Sequence, residues 1–256
     1  NNGDGLYDPT GAGAGGAAGQ TVEPGFRNGQ AVFDVKVEND GNSDDTIDIS
    51  WNVPPPDQTG SWQVTLHDDE GNIDYTASPV IVSLAAGAFR DYTLTIRPAD
   101  YARPDPANSK NIILNIRSEN EYAKADSGRA TVTVNKAYQV DGIIDGNGDN
   151  SYFNPPVQDH GGAVPNPKAA APGETVTFAV VLENEGNILD AYTLSMDSER
   201  SSCVDTAGSI RSLPVTWTYL LNDGTTDHNI SSQPFTTPVI SAKIDTGSTV
   251  PYTLKV

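Results

Sequence analysis

Cysteine is nearly absent from this 256-residue sequence, which contains only Cys203 and therefore cannot form an intrachain disulfide. That scarcity favours an exported bacterial or archaeal protein over a small animal secreted domain, which would be rich in disulfides. No apolar run approaches the ~20 residues of a membrane-spanning helix, so direct membrane insertion is not expected. The sequence begins Asn1-Asn2-Gly3, which is not a translation start, and we expect a processed chain or a fragment.

Positive charge is also scarce, with 15 Lys and Arg against 34 Asp and Glu and a net charge of −19. A surface this acidic repels phosphate backbones and anionic lipid headgroups, so nucleic acid and membrane surfaces are not expected partners. Cations, calcium above all, are the natural partners of such a surface. The alternative is that the charge simply keeps an exposed protein soluble, and both explanations can hold together.

An internal repeat is the strongest signal in the sequence. Shifted by 145 residues, NGDGLY at 2–7 lies on NGDNSY at 147–152, and VFDVKVENDGNSDD at 32–45 lies on TFAVVLENEGNILD at 177–190. The ungapped match has 14 identities over positions 2 to 50, where chance gives about three or four, so the chain contains a duplication.

The end of the repeat matches at a larger shift of 160 residues, with GAFRDYTLTI at 87–96 on GSTVPYTLKV at 247–256. The second copy therefore carries 15 extra residues, which we place near 198–214. The first copy continues with two more apolar stretches, whereas the second copy stops at Val256. We expect either a simple truncation or a missing pairing that another subunit supplies by strand donation.

Apolar and polar residues alternate with a period of two throughout both copies, which predicts strands with one solvated face. The fold class predicted is all-β, with two tandem immunoglobulin-like antiparallel β-sandwiches, residues 1–138 and 139–256, the second lacking its last strands within this chain. Each tryptophan lies in phase with its apolar face, which favours core packing over a sugar-binding platform. The inward sets include Phe33, Val35 and Val37; Ile47, Ile49 and Trp51; Trp62, Val64 and Leu66; Tyr92, Leu94 and Ile96; Tyr192, Leu194 and Met196; and Val215, Trp217, Tyr219 and Leu221.

The motif Glu-Asn-x-Gly-Asn between two strands, followed later by Gly-x-x-x-x-Tyr-Thr-Leu, occurs in both copies. It resembles the CARDB-type Ig-like repeats of prokaryotic cell-surface proteins. The resemblance implies an extracellular location and a role in a surface layer, filament, adhesin or enzyme spacer. It also implies that Asn39–Gly41 and Asn184–Gly186 are structural turns, in which we expect glycine to supply a positive φ.

A calcium site is predicted in the segment that joins the two copies. Asp145, Asn147 and Asp149 have the alternate spacing with which carboxylate and amide oxygens converge on one hard cation. Asn150 stands where a calcium loop normally has glycine, and Pro156 stands at the twelfth position, so this is not an EF-hand. Asp141 could complete the site, and the first copy retains Asn2 and Asp4 as partial equivalents. The alternative is a plain Asx and glycine turn between domains.

Signals for catalysis are weak, and we predict that the chain is not an enzyme. The acidic group Asp40, Asp44 and Asp45, echoed by Glu185 and Asp190, could supply two glycosidase carboxylates, but solvated turn residues are the better interpretation. Serine-hydrolase, phosphate-loop and zinc-peptidase motifs are missing from the sequence. The small-residue run at 11–19 is interpreted as a flexible or closely packing surface stretch, poorly suited to act as a donated strand.

The favoured function is a structural subunit or segment of an extracellular assembly, joined to copies of itself. One alternative is an adhesin or carbohydrate-binding module, for which exposed aromatic residues would be needed. Another is a spacer region of a secreted enzyme. The aromatic residues that could serve the adhesin or carbohydrate-binding alternative are Tyr7, Tyr101, Tyr122, Tyr138 and Tyr152.

Overall fold

The computed structural model describes residues 17–56, 60–104, 109–121, 124–144, 168–171, 173–195, 203–204, 210–211, 218–243 and 247–256. The chain divides into two compact units, Asn1–Ala137 and Tyr138–Val256. The described residues are nearly all β-structure in antiparallel sheets, as the alternation predicts. No helix in this part of the chain is long and apolar enough to cross a membrane.

The described residues of the first unit form nine strands and one short 3-10 helix, Gly25–Arg27. One sheet has the order β1-β9-β8-β3-β6 and the other has the order β2-β7-β4-β5. Neighbours are antiparallel except β1, which runs parallel to β9. The strands are β1 (Ala17–Val22), β2 (Ala31–Glu38), β3 (Asp45–Trp51), β4 (Gln63–Asp68), β5 (Ile73–Tyr75), β6 (Val80–Leu84), β7 (Phe89–Arg97), β8 (Lys110–Ser118) and β9 (Ala125–Val134).

The core of the first unit lies between these two sheets. Along β2, alternate residues are buried and exposed without a break, so Phe33 and its neighbours two residues away face inward. Trp51 and Trp62 are both buried, which confirms that they pack in the core. The side chain of Trp217, for which the same was predicted, lies outside the described residues.

In the described residues of the second unit, one five-stranded sheet has the order β10-β11-β18-β15-β16, and β12-β17 and β13-β14 form two-stranded sheets. Of the predicted set from Val215 to Leu221, Val215 and Trp217 lie outside the described residues, and the described part forms a strand from Leu220 onward. The elements are β10 (Val140–Ile144), β11 (Thr177–Asn184), β12 (Thr193–Leu194), β13 (Cys203–Val204), β14 (Ile210–Arg211), β15 (Leu220–Asn222), β16 (Asp227–Asn229), β17 (Phe235–Thr236) and β18 (Thr249–Lys255).

Strand register shows the same duplication a second time. Leu66 on β4 lies opposite Leu94 on β7, and Leu221 on β15 lies opposite Leu254 on β18. The strands β4 and β15 are therefore equivalent, although the sequences around them do not align visibly.

Each of these strands leads into a hairpin turn that an aspartate organises. Asp68 Oδ1 accepts hydrogen bonds from the backbone N–H groups two and three residues ahead, at 3.2 and 3.0 Å. Asp223 Oδ1 accepts the corresponding two bonds at 2.9 and 2.8 Å. The two units thus build this hairpin with one device, an Asx turn at the same position.

The hairpin of the second unit is expected to make stability sensitive to acid. The side-chain hydrogen bond from His228, together with backbone and hydroxyl donors in the turn, lowers the pKa of Asp223. Because the folded pKa lies below the unfolded value of about 3.9, this stabilisation is present above about pH 4 and is lost as pH falls further. We expect Asp223→Asn to flatten the decline of the urea midpoint between about pH 4 and pH 2.5. An unchanged decline, matching that of a control Asp126→Asn variant, would contradict this.

Candidate functional site

The repeated Asn-x-Gly motif ends β2 and β11 and controls how each strand leaves its sheet. Asn39 is buried, and its Nδ2 donates to the carbonyl oxygens of Ser43, Leu84 and Ala85 at 3.0 to 3.2 Å. Its Oδ1 accepts the N–H of Gly41 at 3.0 Å. The asparagine side chain therefore joins two segments that are distant in sequence.

Asn184 repeats this arrangement in the second unit, with Nδ2 donating to Ile188 and Ile240 and Oδ1 accepting from Gly186. The predicted positive φ at Gly41 and Gly186 is wrong, since neither has one. Glycine is needed at Gly41 because a Cβ would lie 2.9 Å from Asn39 Oδ1. The positive φ occurs instead at Gly87 and Gly247, the first residues of the second repeated motif.

The predicted calcium ligands lie mostly outside the described residues, which do not include Asn2, Asp4, Asp145, Asn147 and Asp149. Asp141 is half-buried on β10, directly opposite Glu183 on β11. In the described part of the chain, no group of three or more His, Cys, Asp or Glu side chains is arranged to hold a metal ion.

Two glutamates beside β10 share one lysine as their ion-pair partner. Lys243 Nζ contacts Glu183 Oε1 and lies 3.1 Å from Glu185 Oε1, while Gln139 Nε2 donates to Glu185 Oε2 at 3.0 Å. Burial alone would lower the pKa of Lys243, but hydrogen bonds and attraction from both glutamates raise it overall. The interpretation of Glu185 as a solvated turn carboxylate is therefore wrong, because this residue is buried in an ion-pair network. Asp40 and Asp44 are exposed, as expected.

The strands β2 and β11 are equivalent, and each has one edge that faces away from its partner strand, β7 or β18. These two outer edges have different neighbours. On β11, Lys168 Nζ donates to the Thr177 carbonyl at 2.5 Å, and β10 pairs with Val180 to Asn184. On β2, the Gln20 side-chain amide donates to the Val32 carbonyl at 2.5 Å and accepts the Val32 N–H at 3.1 Å. Among the described residues, no strand pairs with the rest of that edge. Gln20, Lys168 and the strand β10 occupy these edges, and of them the sequence analysis identified only Asp141 of β10.

A shallow polar concavity lies on the first unit across β3, β8 and β9. It is lined by Ser50, Asn115, Arg117, Ala125, Asp126 and Ser127. Of the tyrosines considered as glycan contacts, Tyr138 is half exposed and Tyr101 is partly buried. The other three, Tyr7, Tyr122 and Tyr152, lie outside the described residues.

No protein-family model matches the sequence, and comparison with curated proteins finds no match. Several solved structures are similar to this chain. The PapD-like domain 7 of human CEP192 is 14% identical over 47% of this chain and 82% of that one, with a TM-score of 0.28. The CupB6 tip adhesin from Pseudomonas aeruginosa is 10% identical over 89% of this chain and 79% of its own, with a TM-score of 0.29.

The secreted serine protease VesC from Vibrio cholerae is 14% identical, and the match covers 98% of this chain and 46% of the protease, with a TM-score of 0.31. These scores are too low to assign a family or an activity. The class of protein, a chain of Ig-like β-sandwich units, is defined by strand order, pairing and burial.

Proposed function

We propose that this protein is a non-catalytic structural segment of an extracellular prokaryotic assembly, built from tandem Ig-like units of CARDB type. The observation that carries the proposal is the duplication of one unit in sequence, in strand register and in two turn devices, the buried Asn-x-Gly turn and the aspartate hairpin turn. Repeating a packed unit extends a chain without requiring a new fold, as solenoid and surface arrays do. The large negative charge keeps such an exposed array soluble.

Calcium is part of this proposal and rests on the spacing of Asp145, Asn147 and Asp149. Neutralising these carboxylates would reduce the self-repulsion of a chain with a net charge of −19. Calcium would then favour the assembled state, which brings many such chains together.

Assembly is tested on the natively purified protein by light scattering and negative-stain imaging, first with calcium and then with excess chelator. We expect ordered sheets, tubes or filaments with calcium and their dispersal by chelator. Asp145→Asn combined with Asp149→Asn should remove the calcium dependence, while Asp126→Asn combined with Asp69→Asn, which removes the same charge elsewhere, should preserve it. A monomer that is indifferent to calcium would contradict both the assembly and the metal.

Glycan binding is a second candidate, favoured by the polar concavity on the first unit. Asn115, Arg117 and Ser127 supply amide, guanidinium and hydroxyl groups on one face of the sheet, and such groups hydrogen-bond sugar hydroxyls. A glycan screen distinguishes this candidate, because binding that Asn115→Ala abolishes while assembly is absent would place the protein among adhesins.

A further inference from the structure

Alternate residues of β2 direct their backbone N–H and C=O groups away from β7, toward the outer edge of the strand. Asn39 N donates to Ala88 O on the inner side, and Val32 N bonds Gln20 on the outer side. Because directions alternate along a strand, Lys36 and Glu38 also direct their N–H and C=O groups outward, away from β7. Within the described residues these groups face no other strand.

The same positions are paired in the second unit. Val181 and Glu183 correspond to Lys36 and Glu38, and they lie opposite Ile143 and Asp141 of β10. The next outward group, Glu185 N, donates to Gln139 O at 3.0 Å. The pairing of β10 with β11 in the second unit therefore shows which kind of strand, in which register, can pair with the outer edge of β2 in the first unit.

The side chains along β2 also fit such a guest strand. Asp141 meets Glu183 on β11, and Lys243 offsets the repulsion between the two carboxylates by pairing with that glutamate. On β2 the corresponding Glu38 is paired with Lys36 at 3.2 Å. An acidic residue at the Asp141 position of a guest strand would meet a glutamate that is already neutralised.

We propose that the outer edge of β2, from Lys36 to Asp40, is an acceptor for a strand of β10 chemistry supplied by another repeat of the same kind. The guest strand lies antiparallel, in the register that Val140–Ile144 adopts on β11. Affinity comes from main-chain hydrogen bonds, as in other cases of strand addition. The inference rests on the proposed assembly and names the contact that joins its repeats.

The test uses the full chain with a second copy of residues 139–145 fused directly ahead of Asn1. This graft restores the spacing between strand and Asn-Gly-Asp motif that the second unit has. Tethering also gives the guest strand a high effective concentration. We expect hydrogen exchange at the amides of Lys36, Glu38 and Asp40 to slow by at least about tenfold, because paired amides exchange only after local opening.

Two proline variants of the graft separate strand pairing from mere proximity. Asp141→Pro with Ile143→Pro within the graft removes the N–H groups that face the acceptor, and protection should be lost. Gly142→Pro within the graft removes an N–H that faces away, and protection should be retained.

Unchanged exchange at Lys36 and Glu38 with the intact graft would overturn the proposal. So would equal protection with the graft that carries Asp141→Pro and Ile143→Pro, since the edge would then be covered without pairing to the guest strand. Because the graft acts within one chain, its outcome is independent of whether calcium-dependent assemblies form, and the two proposals can fail separately.

Discussion

Asn39→Ala is expected to lower the free energy of unfolding of the first unit by about 3 kcal/mol, because several hydrogen-bonding groups lose their partner in a buried place. The asparagine is 5% exposed and makes four hydrogen bonds through one short side chain. Alanine leaves the carbonyl of Leu84 and the N–H of Gly41 without that partner, and it creates a small void.

Urea unfolding followed by tryptophan fluorescence measures this effect, since Trp51 and Trp62 are buried in the core of the same unit. Asp40→Ala, one residue away but exposed, is the matched control and should change stability by less than about 0.5 kcal/mol. Equal effects of the two substitutions would show that the asparagine does not hold the turn. Asn184→Ala should destabilise the second unit in the same way.

Asp68→Ala is expected to destabilise the first unit by about 3 kcal/mol, the lower end of the range for breaking a buried ion pair. The carboxylate is 2% exposed and lies 3.0 to 3.1 Å from the guanidinium of Arg90. It also accepts two backbone N–H groups of the β4–β5 turn. Removing it leaves a guanidinium that is 26% exposed without this partner, so solvent recovers part of the loss.

Asp74→Ala is the control for this prediction, because its carboxylate forms an exposed pair with His67 at 2.7 Å on the same hairpin. Exposed pairs contribute about 0 to 1 kcal/mol, so this substitution should shift the urea midpoint little. Asp68→Asn, which retains an acceptor for the turn, should fall between the two. A loss for Asp74→Ala as large as that for Asp68→Ala would contradict the role assigned to burial.

The sequence was sufficient to predict β2, because an unbroken alternation leaves only one way to bury Phe33 and its partners. It also located the Asn-x-Gly turn correctly. It gave the wrong mechanism there, because the hydrogen bonds of Asn39 reach Leu84 and Ala85, residues whose proximity depends on the whole sandwich. Local pattern carries no information about such contacts.

Edge strands, among them β1 and β10, were missed for a related reason. The small-residue run at 11–19 was interpreted as a surface stretch, yet β1 begins at Ala17 and pairs with β9. The strand β10 contains a glycine and was considered only as a source of Asp141. Edge strands bury little of their own surface, so their pairing is specified mainly by the neighbour that they join.

The capping of strand edges by Gln20 and Lys168 was equally beyond a local pattern. These residues lie 12 and 9 positions from the carbonyls that they bind, and nothing in their immediate sequence distinguishes them from solvated polar residues. Only the comparison of two equivalent strands shows that they occupy the same place. The predicted calcium ligands, Asp141 included, stay a prediction from the sequence.

Immunogold labelling of the cells that make this protein tests the central claim most directly. We expect antibody to decorate a regular array, filament or stalk on intact, unpermeabilised cells, because an extracellular structural segment is exposed and repeated there. Labelling that requires permeabilisation, or protein found only as dispersed molecules in the medium, would contradict a structural role at the cell surface.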